Sequence, residues 1–319
     1  MKKILIIAFN TFNETIRQPV FMITLAAGAF MIGSSPSYAM FTLMEDMKLV
    51  KDMGLATMLI TGLLQAIFSA VRVVSHEIEN KTILTVLTKP VSKTEVIFGK
   101  FGGIALALVL SMYMLNIFLV MAVRVGVPEA AYSPIHRPLV YGQFAALAIA
   151  LLMAAFSNYF YDRPFGSSVF INSIATFSMV FLVFGFFDSE MKIQGFLADV
   201  DMQVLGAGYL VCISVLCAGA IAVAFATRLG PVFTTGFCLS IFIIGLLSDH
   251  LFGRFAGENI FARAAYSAVP NMQVFWVADA VSEGIKVPLE YLITVTLYGI
   301  ILCLGGLFLG VLLFEQKEN

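Results

Sequence analysis

Charged residues in this 319-residue chain are spaced so that eight long stretches carry none: 18–44, 53–71, 101–123, 138–161, 164–187, 202–227, 229–248 and 291–314, each 19 to 27 residues long. A helix crosses the hydrocarbon of a bilayer in about 20 residues. Backbone amides and carbonyls left unpaired in lipid cost several kcal/mol each, so stretches of this length fold there as helices. Helices of a soluble protein would need charged faces, and these stretches have none. Composition agrees, at 60% hydrophobic and 12% charged, against roughly 45–50% and 25% in soluble domains. The expected fold class is an all-α polytopic membrane protein of about eight transmembrane helices, forming a single transmembrane domain over 1–319.

A ninth uncharged run, 264–278, is too short to span and contains Pro270, Asn271 and Gln273. It reads as a re-entrant or interfacial element in the 249–290 loop, with Trp276 near the headgroups, or as a structured loop. The four cysteines, Cys212, Cys217, Cys238 and Cys303, all fall within predicted spans. There they act as small apolar residues rather than as a disulfide framework. A formal net charge of −1 gives no basic face and no nucleic-acid partner.

Residues 1–18 resemble a signal peptide only superficially, because Asn13, Glu14 and Arg17 stand where a small-residue cleavage site belongs. Leu5, Phe9, Phe12 and Ile16 recur at helical spacing, opposite Lys2, Lys3, Asn10, Asn13 and Arg17. The pattern predicts a short amphipathic helix in the membrane plane, ended by Pro19. With both termini on one side, the segments 1–17, 72–100, 162–163, 228 and 315–319 hold 11 Lys and Arg in 54 residues. The opposite segments hold 8 in 78. The denser side is expected to be cytoplasmic, in a cell (inner) membrane. Residues 155–188 and 224–249 share an outline, which either duplication or apolar composition alone produces.

On that side, 77–100 concentrates seven charges in 24 residues. Glu77 and Lys81 stand four apart in the favoured order, and Lys89-Pro90 stops the first helix. Ser92 and Glu95 then form a capping-box pattern, with Val91 and Val96 placed as a hydrophobic staple. Two capped helices in one loop predict a docking element for a soluble partner, set against the plainer reading of a solvated turn.

The stretch "HEIENKTILTVLTKPVSKTEVIFGKFGG" resembles the cytoplasmic loop of ABC-2-type exporter permeases. The likeness extends to 50–68, the amphipathic N-terminus, 227–232, 245–253, 269–292 and the closing "LFEQKE". The nearest subgroup is the one typified by the permease associated with copper-enzyme maturation. The resemblance implies a six-span core, to which 138–187 adds an extra hairpin. It implies two permease subunits, alike or different, driven by separate ABC ATPase subunits. Coupling to the ATPase would fall to Glu77, Glu79, Lys81, Thr82, Pro90, Ser92 and Glu95. Leu5, Phe9, Phe12 and Arg17 would belong to the connecting helix, and 264–278 would be the re-entrant element.

No Gly-x-x-x-x-Gly-Lys-[Ser/Thr] phosphate loop occurs in the chain. The chain is therefore expected to be no enzyme and to hold no cofactor, with ATP and Mg on the partner ATPase. An ion-coupled carrier would want ionisable residues at mid-membrane, and no uncharged stretch supplies one. Gln65, Asn116, Gln143, Asn158 and Asn172 are the strong hydrogen-bonding residues of the spans, either lining a path or joining helices. Tyr159, Phe160 and Tyr161 read as an interfacial aromatic belt. The three histidines are far apart in sequence, His76 on one side and His136 and His250 on the other, so no shared metal site is expected. The competing readings are an ATP-independent carrier or channel, and a membrane scaffold that transports nothing.

Overall fold

The computed structural model describes residues 2–39, 46–75, 92–126, 135–255, 257 and 259–315. These residues are helical almost throughout, with one isolated bridge pairing Phe187 and Ile193. The helices are α1 (Lys2–Thr15), α2 (Pro19–Ala39), α3 (Asp46–Ala70), α4 (Lys93–Val125), α5 (Arg137–Tyr161) and α6 (Phe165–Phe184). They continue as α7 (Met202–Ala226), α8 (Pro231–Leu246), α9 (Ser248–Leu251), α10 (Ile260–Ala268), α11 (Ala278–Ser282) and α12 (Leu289–Glu315). A π-helical turn, Val71–Ser75, extends α3.

Seven helices, α2 to α7 and α12, are long and apolar enough to cross a membrane. The chain is a multi-pass all-α membrane protein. The remaining uncharged stretch, 229–248, does not form one straight span. Its helix α8 has 16 residues and is followed, after a 68° bend, by Ser248–Phe255. At about 1.5 Å per residue α8 falls short of a 30 Å hydrocarbon core. The break has a tertiary cause. The Met272 amide donates to the Gly245 carbonyl at 3.0 Å, an acceptor that a continuing helix would offer to residue 249.

Three helices form the centre. Buried residues make up 67% of the apolar window of α7, 61% of α4 and 56% of α3, against 22–33% for α2, α5, α6 and α12. Small residues set this arrangement, because helix axes approach closely only where side chains are short. Gly62 of α3 faces Val215 of α7 and Met112 of α4, and Gly208 of α7 faces the Asn116 amide. Helix α2 packs on α3 and α4, α12 on α7, and α5 with α6 makes a hairpin leaning on α4.

One end of the bundle carries α1, the π-turn and the start of α4, and is the α1 end below. At the opposite, loop end, the described residues of 248–288 connect α8 to α12. Helix α10 buries none of its residues, whereas Met272 and Phe275 are fully buried and Ala278 and Val281 pack with them. The uncharged run 264–278 therefore divides between an exposed helix and an inserted segment. Trp276 is half-buried and lines an apolar crevice with Leu59, Val211, Ser214, Leu246, Met272 and Phe275.

Candidate functional site

Of the residues singled out for docking, Glu77, Glu79, Lys81, Thr82 and Pro90 lie outside the described residues. Ser92 and Glu95 form the expected capping box. The Glu95 amide donates to Ser92 Oγ at 3.2 Å, and the Ser92 amide donates to Glu95 Oε2 at 2.9 Å. Helix α4 therefore starts abruptly at Lys93, with two otherwise orphaned amides satisfied.

Helix α1 lies against the first turns of α4, where Gly99, Gly102 and Gly103 leave a notch. A Cβ at position 103 would stand 2.6 Å from Thr11 Cβ and 2.8 Å from the Phe12 amide nitrogen. One at position 99 would stand 2.8 Å from Ile7 Cβ. The notch fixes how α1 is rolled, and it divides the stripe that the sequence predicts. Phe12 and Ile16 are buried, with Thr11 and Thr15 beside them, while Leu5 is 68% and Phe9 63% exposed. Arg17 is exposed as well. Periodicity alone does not separate the two apolar sides of α1, because the roll is decided by glycines about 90 residues away.

Lys100, in the same quoted motif, is 4% exposed and donates through Nζ to the Val73 carbonyl at 2.8 Å. That carbonyl belongs to the π-turn ending α3, where a widened turn leaves acceptors free and the helix dipole favours a cation. Sequence reasoning passed over this role for Lys100. The signal was the last lysine of a charged stretch standing two turns inside an apolar helix.

The five amide side chains do not converge on one lining. Gln65 is buried, donates to the Phe21 carbonyl at 3.2 Å and accepts from Ser111 Oγ at 2.7 Å, so it joins α2, α3 and α4. Thr61 and Ser69, also buried, stand one turn to either side of it on α3. Asn116 donates to the Leu205 carbonyl at 3.2 Å. Gln143 and Asn172 are half-buried on the α5–α6 hairpin, and Asn158 is exposed, donating to the Arg163 carbonyl at 2.7 Å.

At the loop end Lys51 pairs with Asp201 at 2.7 Å, and Asp201 also caps α7 by accepting from the Gln203 amide at 2.9 Å. Gln203 in turn accepts from the Val287 amide at 2.8 Å. Arg124 is buried at the end of α4 and donates to the carbonyls of Phe184, at 2.6 Å, and of Phe187, at the end of α6. Asp199 stands 4.0 Å from the same guanidinium. His136 precedes α5, accepts the Leu139 amide at Nδ1 and meets the Phe184 ring edge-on. Burial pushes its pKa below the ordinary imidazole value, and the nearby Arg124 charge pushes the same way.

No family model matches the chain, and no curated protein matches it either. The side chains just described divide into the close packing of α1 on α4 at one end and a polar cluster at the loop end. Among the described residues no three His, Cys, Asp or Glu side chains are grouped to hold a metal.

Proposed function

We propose that the chain is the membrane subunit of an ATP-driven exporter, an ABC-2-type permease that works as a dimer with separate ATPase subunits. The observation that carries this reading is the joint between α1 and α4. Helix α1 is wedged into a glycine notch on a central helix, so a push on α1 passes to the bundle without slack. In sequence, 76–91 connects the π-turn that ends α3 to the capped start of α4, and both of these lie at this end of the bundle, joined by the Lys100–Val73 hydrogen bond. A partner gripping that segment would hold the ends of two of the three central helices. The missing phosphate loop puts ATP and Mg on that partner.

In this reading Glu77, Glu79, Lys81 and Thr82 seat in the ATPase, and Pro90, Ser92 and Glu95 keep the returning helix rigid. Closure of the ATPase pair would shift the bundle between two states that contact the partner differently, as any ligand-driven transition requires. The α1 end is then cytoplasmic, in the cell membrane, with Leu5 and Phe9 turned to lipid or to the partner.

The test is recovery of the tagged protein from its native membranes in mild detergent. A Walker-A ATPase should co-purify, and it should be lost when Glu77 and Glu79 are both changed to Lys. Recovery of the chain without an ATPase, while other such complexes survive the detergent, would overturn the exporter reading in favour of a carrier. An ATPase that binds but never drives transport would favour a scaffold.

A further inference from the structure

Helices α7 and α12 run parallel and meet along a strictly registered seam. Gly206 faces Leu292 at 3.8 Å from the position its Cβ would take, Gly299 faces Ile213, Gly306 faces Ala220 at 3.4 Å, and Gly310 faces Ala224 at 3.2 Å. Every pair is separated by the same number of positions, and that number, 86, also separates Cys217 from Cys303. The spacings of seven, four, three and four along each helix are those of a parallel coiled coil, in which like positions meet in layers. The two cysteines fill one such layer. Their sulfurs are 3.6 Å apart, with the Cys303 thiol directed at Cys217 and the Cys217 thiol directed at the Gly299 carbonyl, 3.4 Å away. All four cysteines are free thiols.

We propose that Cys217 and Cys303 are a redox-modification site, a dithiol that closes to a disulfide across the α7–α12 seam. A disulfide bond is about 2.05 Å long and joins backbones whose Cα atoms lie roughly 4.4–6.8 Å apart. The small residues above and below bring the two backbones close, and the sulfurs are already in van der Waals contact.

Both residues sit midway along their helices, so the oxidant must dissolve in lipid. Cys303 is half-buried on α12, and the adjoining Ile300, Ile301 and Leu304 are exposed on its outer side. A quinone satisfies the balance. The two S–H bonds break, the Sγ–Sγ bond forms, and two protons and two electrons reduce the quinone to its quinol. Hydrogen leaves with the electrons, and no charge is stranded in hydrocarbon, where an ion is costly. A thiol-containing reductant reverses the step by exchange.

The test uses the full chain in membranes treated with duroquinone, whose ring is fully substituted and does not arylate thiols. After acid quenching and denaturation, free thiols are capped with N-ethylmaleimide and the intact mass is read. Oxidised protein should carry two adducts instead of four, and dithiothreitol should restore four. In the double variant Cys212→Ser, Cys238→Ser, quinone should remove both remaining adducts. In Cys217→Ser it should remove none of the three. Four adducts after quinone in the unaltered chain, or two surviving in the double variant, would overturn the proposal. Trypsin cleavage at Arg254, Arg263 and Lys286 supplies a second reading. The fragments bearing Cys217 and Cys303 should stay joined until reduced.

Discussion

A side chain placed at position 103 is enough to test the joint between α1 and α4. The atoms it would meet include the backbone of α1, which cannot rotate away, so relief requires α1 to move. Overpacking of this kind costs about 1–3 kcal/mol. Gly103→Leu is expected to expose α1, read as faster labelling of a cysteine placed at Thr11, which is buried in the native joint. Gly236→Leu is the matched control, since nothing lies within 4 Å of a Cβ there, and it should leave labelling unchanged. Gln65 makes a second prediction at this scale. Gln65→Leu removes two hydrogen bonds and strands Ser111 in the same step. Interhelical hydrogen bonds in membranes are worth roughly 0.6 to 1.7 kcal/mol, so a loss of about 1 kcal/mol is expected in detergent unfolding. A Gln65→Leu, Ser111→Ala double variant should recover part of it, because no unpaired partner remains.

At the scale of elements, the Arg124 side chain ties α4 to the end of the α5–α6 hairpin, alongside the ring contacts Phe21–Phe170 and Phe118–Phe177 and the Tyr113–Ser178 hydrogen bond. The His136 imidazole packs within the hairpin against Phe184. Arg124 bonds the carbonyls at the end of α6, and a charged hydrogen bond contributes about 1.5–3 kcal/mol. Arg124→Met should raise amide exchange across 185–200 while leaving α1 and α12 as protected as before. His136 adds a pH dependence. Its pKa in the folded protein is lowered from 6.5, so the unfolded chain takes up the proton first. Stability from this group is complete above the ordinary imidazole value and falls as pH drops below it, levelling off once the folded pKa is passed. Arg124 opposes the proton and Asp188 favours it. Thermal unfolding of the native protein should therefore lose more between pH 7.5 and pH 5 than that of His136→Asn. An equal loss would mean that other groups carry the acid response.

The elements also show what a reader of the sequence can and cannot see. Seven spans follow from uncharged runs because length and apolarity are local properties. So does the capping box, whose two residues are three positions apart. The break after α8 is not local, since it depends on the Met272 amide reaching the Gly245 carbonyl. The roll of α1 depends on glycines in another helix, and the cysteine layer emerges only when α7 and α12 are known to run parallel in one register. Gln65 and Asn158 look alike as letters, yet one joins three helices and the other ties off an exposed turn.

For the whole molecule, the proposed exporter reading assigns docking and transmission to different residues, and this separates two failures that a transport assay alone would confuse. On that reading the charged residues at 77–82 would grip the ATPase, whereas the notch at 99–103 would carry the motion onward. Reversal of Glu77 and Glu79 is expected to abolish binding, so hydrolysis by the partner falls to its level without the permease. Gly103→Leu should leave the complex intact on a sizing column and still reduce transport per ATP about tenfold, because α1 no longer bears on α4. Measuring binding, hydrolysis and transport on the same reconstituted preparation decides between these outcomes. If Gly103→Leu lowered binding and transport in equal proportion, α1 would be part of the docking surface. The joint would then be a clamp on the partner rather than a lever on the bundle.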